Sequence, residues 1–142
     1  MSHIEHKKLS PAVAHAYILT ISDTRTLATD SSGRTICDLL WADGHSVTGR
    51  KVVRDEPDQV REAVEAQLAN PDVQVIIMTG GTGITSRDTT YEAISALLEK
   101  KLDGFGELFR MLSYQEIGSA AMLSRAVGGL AKGKVILSLP GS

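Results

Sequence analysis

The stretch from Val73 to Glu92 limits the fold of this 142-residue chain more than any other. Val73, Val75, Ile76, Ile77 and Met78 form a short apolar run of the kind that suits a strand covered on both faces. The run breaks at Thr79-Gly80-Gly81-Thr82-Gly83, where three glycines let the backbone turn sharply and come close to a ligand. Beyond Ile84-Thr85-Ser86-Arg87-Asp88 a helix is predicted from Thr89, with Glu92 at the spacing of a capping box. Backbone N–H groups in such a turn face whatever sits above the strand end, and the helix dipole favours negative charge there. The stretch has no Walker lysine, and Ser86 stands where the third glycine of a dinucleotide fingerprint would fall. On these residues alone two readings stand: a seat for phosphate or a similar anion, and a plain tight connection from strand to helix.

The residues before this stretch repeat the same unit. Ala16 to Ser22 reads as a buried strand through Tyr17, Ile18, Leu19 and Ile21, and ends in Ser22-Asp23-Thr24-Arg25-Thr26. A hydroxyl-rich loop from Thr29 to Gly33 leads to a helix over about Gly33 to Ala42, with Ile36, Leu39 and Leu40 on one face and Asp43-Gly44 as its stop. Val47 to Arg54 is a more polar strand, and so is expected nearer an edge. After Asp55-Glu56, Pro57 suits the first position of a helix along which Val60, Val64 and Leu68 recur every four residues, until Asn70-Pro71. Strand and helix alternating in this way predict parallel strands joined by right-handed crossovers in a three-layer α/β/α domain. Late in the chain, Val127 to Ala131 and Val135 to Leu139 flank Lys132-Gly133-Lys134 and read as an antiparallel strand pair. The sheet is thus expected to be mostly parallel.

Composition removes several classes of function. A net charge of -2 gives no basic footprint for duplex nucleic acid. No apolar run approaches a membrane span, and Met1 to Ser10 is too polar for a signal peptide, so a cytoplasmic home is expected. Cys37 is the only cysteine and sits beside Ile36 and Leu39 on a predicted helix, where a small buried residue is the better reading than a nucleophile. His3, His6, His15 and His45 show no metal-ligand spacing. A dinucleotide Rossmann domain would carry its glycines after the first strand, where this chain has none. An FMN carrier would want stacking aromatics, and these are 4% of the chain, with Trp41, the only tryptophan, on a helix.

Ligands on sheets of this kind sit outside the carboxyl ends of the strands. Asp23 follows the first strand, Asp55 the second and Asp88 the glycine turn, so three carboxylates are expected on one rim beside the anion seat. Facing a phosphate they would repel it unless a cation lay between. Mg²⁺ binds in that way, through one or two carboxylates and the substrate phosphates, which points to phosphoryl or nucleotidyl transfer. Arg25 and Arg87 offer direct phosphate contacts. Each of these residues also has a plain role: Asp55 at the start of its helix, Asp23 in its own turn, and the arginines as solvated loop charges.

With Thr79-Gly80-Gly81-Thr82-Gly83, Arg87-Asp88, Gly104-Phe105-Gly106-Glu107 and Leu139-Pro140-Gly141-Ser142 in order, the sequence resembles the MoaB/Mog family of molybdenum cofactor biosynthesis from about Ala16 to Ser142. Ser22 to Thr26 and Gly104 to Tyr114 bring it nearest the MoaB branch. The resemblance implies one molybdopterin-binding domain over residues 15–142, behind a loose arm of residues 1–14. It implies Mg²⁺-dependent adenylylation, in which AMP passes from ATP to the terminal phosphate of molybdopterin and pyrophosphate is released. Asp55 and Asp88 fall on the two acidic positions that matter for activity in adenylylating relatives, and are the candidate catalytic and Mg²⁺-holding residues. Some MoaB proteins lack an acidic residue at the position of Asp55 and are inactive; this chain keeps it. Thr79, Gly80, Gly81, Thr82 and Gly83 fall at the phosphates, Asp23 near the nucleotide, and Pro140, Gly141 and Ser142 in a loop that helps hold substrate; Ser22 and Arg87 are further candidates for phosphate or substrate. Relatives continue past Pro-Gly-Ser into a helix, so the natural protein is expected to do the same. Family members form trimers, and MoaB types pair these into hexamers. A helix carrying Phe105, Leu108, Phe109 and Leu112 on one face thereby becomes a candidate subunit contact, and other proteins of the pathway become candidate partners. The alternative function is a non-catalytic molybdopterin-binding or assembly protein.

Overall fold

A computed structural model of the chain describes residues 13–80, 89–105 and 126–139. Strands β1 (His15–Ile21), β2 (Ser46–Val53), β3 (Val75–Thr79), β4 (Lys100–Lys101), β5 (Val127–Ala131) and β6 (Lys134–Leu139) form one sheet in the order β2-β1-β3-β6-β5-β4. β2, β1, β3 and β6 run parallel, while β5 is antiparallel to β6 and β4 to β5. Helices α1 (Ser31–Ala42), α2 (Pro57–Leu68) and α3 (Thr89–Leu97) supply the other two layers. This is the mostly parallel α/β/α sandwich with a late antiparallel pair that the alternation of elements predicts.

Local sequence chemistry sets the helix ends. α1 starts two residues before Gly33 because Asp30 caps it, its carboxylate accepting from the Gly33 N–H at 3.0 Å. It stops where Gly44 takes a φ of 84°, with the His45 N–H donating to the Leu40 carbonyl and the Gly44 N–H to that of Trp41. That is the paired closure a left-handed glycine permits. α2 opens on Pro57, whose missing N–H costs nothing at a position with no helical partner.

The alternation of side chains along the strands divides the core in two. Ala16, Ile18 and Ile77 face α1 and pack with Cys37. Leu19, Ile21, Ile76, Met78 and Ile136 point the other way and meet Val60, Val64 and Leu68 of α2 and Ile94 of α3. β3 is therefore covered on both faces, and the four-residue repeat of α2 is its buried side. β2 lies at one edge, as its polarity leads one to expect.

β5 and β6 turn through Lys132 and Gly133, both at positive φ, 49° and 76°, which matches the twist of a two-residue hairpin. The Lys132 N–H donates to the Glu99 carboxylate, and the Lys134 ammonium donates to the carbonyls of Gln67 and Asn70 at the end of α2. A cation there satisfies orphan carbonyls and complements the helix dipole. β4 is not foreseen from the sequence. Of Phe105 to Leu112 only Phe105 is described, within helical residues 103–105, and its ring lies against Gly128 of β5; Leu108, Phe109 and Leu112 lie outside the described residues. Among the described residues no helix is long and apolar enough to cross a membrane.

Candidate anion-binding site at the switch point

The strand order β2-β1-β3 means that the chain leaves β1 to one side, for β2, and then returns past it to β3 on the other. Two oppositely directed crossovers open a crevice above the carboxyl ends of β1 and β3, the place where doubly wound sheets take their ligands. The first residue after β3 is Gly80. Its φ is 92°, its N–H donates to the Leu139 carbonyl of β6 at 3.0 Å, and a Cβ built on it would overlap the Ile21 carbonyl oxygen at the end of β1. The glycine is therefore required by the convergence of three strand ends, a tighter constraint than the approach of a ligand. Thr79 beside it is buried. Gly81, Thr82, Gly83, Arg87, Asp88, Pro140, Gly141 and Ser142 lie outside the described residues.

The other expected residues gather on the same rim. The Ser22 N–H donates to the Val53 carbonyl at 2.9 Å, tying the ends of β1 and β2. The Ser22 hydroxyl accepts from the N–H groups of Thr24 and Arg25, at 3.2 and 3.1 Å, and so folds its own loop. The Asp23 carboxylate accepts from the Asp55 N–H at 3.1 Å, which holds the two aspartates at adjacent strand ends. Asp55 precedes the cap position of α2, where Glu56 makes no side-chain cap hydrogen bond. The Arg25 guanidinium donates to the Thr29 carbonyl at 2.7 Å and to the Ser31 hydroxyl at 3.3 Å, bracing the loop.

Beneath this rim lies a charged network that the sequence reading missed. Asp30 is buried, and its carboxylate accepts from the Thr20 hydroxyl at 2.7 Å, the Arg50 guanidinium at 3.0 Å and the Gly33 N–H. Arg50 also donates to the Leu27 carbonyl at 2.9 Å, so one ion pair fastens the β1–α1 loop to β2. A side chain on Gly33 would overlap the Asp30 carboxylate. Removing one partner of a buried pair leaves the other uncompensated, and Arg50→Met is expected to destabilise the fold by about 3 kcal/mol. Urea denaturation checks this; a change below about 1 kcal/mol would mean that Thr20 and Gly33 alone satisfy the carboxylate. On the same face Cys37 is buried, and desolvation pushes its thiol above the ordinary range, which suits packing and not nucleophilic attack.

Among the described residues no three His, Cys, Asp or Glu side chains come together as a metal-binding group. The rim offers hard carboxylate oxygens at two adjacent strand ends instead. That donor set fits Mg²⁺ shared with ligand phosphates, which needs only one or two carboxylates from the protein.

A switch-point crevice with a positive-φ glycine after β3 and two hydrogen-bonded aspartates at the ends of β1 and β2 defines a doubly wound α/β domain. Residues 17–142 match the family model described as "Probable molybdopterin binding domain". The Bacillus cereus "Molybdenum cofactor biosynthesis protein B" is 53% identical over the whole of this chain and 85% of its own length, and the Bacillus subtilis protein of the same name is 44% identical over the whole chain and 84% of its length. A crystal structure of a "Molybdenum cofactor biosynthesis protein B" superposes with a TM-score of 0.89 at 53% identity, covering 94% of this chain and 83% of that one. The "tungsten cofactor synthesizing protein MoaB from Pyrococcus furiosus" does so with a TM-score of 0.78 at 36% identity, over 94% and 85%. The chain belongs to the MoaB/Mog family of molybdenum cofactor biosynthesis proteins.

Proposed function

We propose that the protein is a molybdopterin adenylyltransferase. An oxygen of the terminal phosphate of molybdopterin attacks the α-phosphorus of ATP, a new P–O bond forms, the bond to the α,β-bridging oxygen breaks, and pyrophosphate leaves. No side chain need act as a covalent nucleophile, because the substrate phosphate is one already. The observation that supports the reading is the hydrogen bond from the Asp55 N–H to the Asp23 carboxylate at the ends of β2 and β1, in a chain of this family whose β1 end also meets Gly80.

Each residue then has a task. The turn from Thr79 to Gly83 meets phosphate oxygens through backbone N–H groups other than that of Gly80, which bonds the Leu139 carbonyl. Asp23 keeps the Asp55 backbone in place, which directs the second aspartate toward the triphosphate. Asp55 and Asp88 would hold Mg²⁺ together with substrate oxygens, and the ion would neutralise charge as pyrophosphate departs. Ser22 shapes the loop over the nucleotide; Arg87 and the loop Pro140, Gly141 and Ser142 add contacts to phosphate and substrate. The reading includes a trimer or a pair of trimers, acting in the cytoplasm beside other proteins of the pathway.

The test is pyrophosphate release from ATP by the purified protein, with and without molybdopterin and with and without Mg²⁺. Release that requires both is expected. Tight molybdopterin binding with no release would overturn the enzyme in favour of a carrier or assembly protein.

A further inference from the structure

We propose that Arg50 is a positioning residue of the crevice: through Asp30 and Leu27 it sets the β1–α1 loop so that the Asp23 carboxylate stays on the Asp55 N–H. What Asp55 does in turnover rests on the adenylyltransferase reading, whereas the mechanical link from Arg50 to Asp55 does not. Arg50 stands five residues before Asp55, too far along an extended strand to reach it, so its influence runs through the loop.

The loop from Ser22 to Asp30 is tied to β2 and its end in three places. The Ser22 N–H donates to the Val53 carbonyl at 2.9 Å, and the Asp23 carboxylate accepts from the Asp55 N–H at 3.1 Å. At the far end the Arg50 guanidinium spans the Leu27 carbonyl at 2.9 Å and the Asp30 carboxylate at 3.0 Å. Asp30 also caps α1 and accepts from Thr20 of β1, so this anchor is fixed to two strands and a helix at once. Between the ties the loop holds itself as one piece. The Ser22 hydroxyl takes the N–H groups of Thr24 and Arg25, the Thr26 N–H donates to the Thr29 hydroxyl at 2.9 Å, and the Arg25 guanidinium reaches the Thr29 carbonyl and the Ser31 hydroxyl. A segment braced in this way moves as a unit. Releasing its far end lets it turn about Ser22, which reorients the next side chain, Asp23, and a hydrogen bond weakens steeply as its angle closes.

The two Arg50 contacts do different things. The bond to Asp30 compensates a buried charge, since that side chain is 1% exposed. The bond to Leu27 compensates nothing of the kind. It lies in an exposed part of the loop, where water would serve the carbonyl as well. Its effect is geometric: a planar fork with two donors fixes the loop in direction as well as distance, which a point charge does not.

Arg50→Lys separates the two contacts, because an ammonium keeps the charge beside Asp30 and lacks the second arm of the fork. Amide hydrogen exchange, followed by NMR on the whole chain, reads the loop independently of activity. The Asp55, Thr24 and Arg25 amides are expected to exchange about tenfold faster in the variant, while those of β3, a strand paired on both sides, keep their wild-type rates. In the pyrophosphate-release assay the Mg²⁺ concentration for half-maximal rate is expected to rise about tenfold, the scale for loss of a residue that orients a metal-holding group and a shift that a merely weakened fold does not give. Asp30→Asn takes its place if Arg50→Lys fails to fold: it keeps an oxygen for the Gly33 N–H, frees the guanidinium to solvent, and is expected to give the same changes. Unchanged exchange at Asp55, acceleration there matched by β3, or an unmoved Mg²⁺ dependence would overturn the proposal. A wild type that releases no pyrophosphate removes the adenylyltransferase reading, and the exchange comparison then decides the link by itself.

Discussion

Gly80→Ala is expected to lower the stability of the fold by about 3–5 kcal/mol, the sum of a left-handed backbone forced on an alanine and a methyl group driven into packed main chain. The second part dominates, because the obstacle is the carbonyl of Ile21 at the end of a central strand and cannot rotate away. Relief would require the ends of β1 and β3 to part, while the Gly80–Leu139 hydrogen bond holds β3 from its other side. Gly133→Ala is the natural comparison. Its φ of 76° is equally unsuited to alanine, but nothing lies within 4 Å of the added Cβ, so only the backbone cost of about 1–2 kcal/mol applies. Urea denaturation of the two variants separates strain from overlap. Equal losses would mean that the strand ends adjust freely.

The second large effect is on turnover. Asp55→Asn and Asp88→Asn are each expected to reduce molybdopterin-dependent pyrophosphate release by about 10²-fold or more, the scale seen when a group that stabilises transition-state charge is removed. In Asp55→Asn the backbone N–H bond to Asp23 is kept. Urea denaturation of the same variant separates a loss of turnover from a loss of fold. Undiminished release would take the altered residue out of the mechanism. Asp23→Asn retains an acceptor for the same N–H and should lose less.

Much of this architecture is legible in the residues because short-range rules and burial agree. The apolar runs of β1 and β3, the four-residue repeat of α2, Pro57 at its start and Gly44 after α1 each point to one element with its own local cause. β4 was invisible for the opposite reason. Lys100 and Lys101 are exposed and polar, and their strand exists because β5 lies alongside, with the neighbouring Glu99 and Leu102 N–H groups donating to the Leu130 and Gly128 carbonyls. Asp30 was passed over within a hydroxyl-rich loop. Its spacing to Gly33 is a readable cap signal, but Arg50 is twenty residues away on another strand and no local pattern joins the two. At the site, strand-end placement foresaw that Asp23 and Asp55 would share a rim; it did not foresee that Ser22 and Arg25 are occupied in holding the loop.

The place of β6 has a consequence for synthesis. β3 emerges early from the ribosome, yet its second neighbour in the sheet is the last strand described, and Gly80 waits for the carbonyl of Leu139. Until that residue leaves the exit tunnel, the nascent chain has β1, β2 and β3 with the five-residue β6 side of β3 unpaired, an open strand edge of the kind that favours aggregation. The switch-point crevice is finished only when Leu139 reaches Gly80, so a chain that has made only β1, β2 and β3 holds no complete crevice.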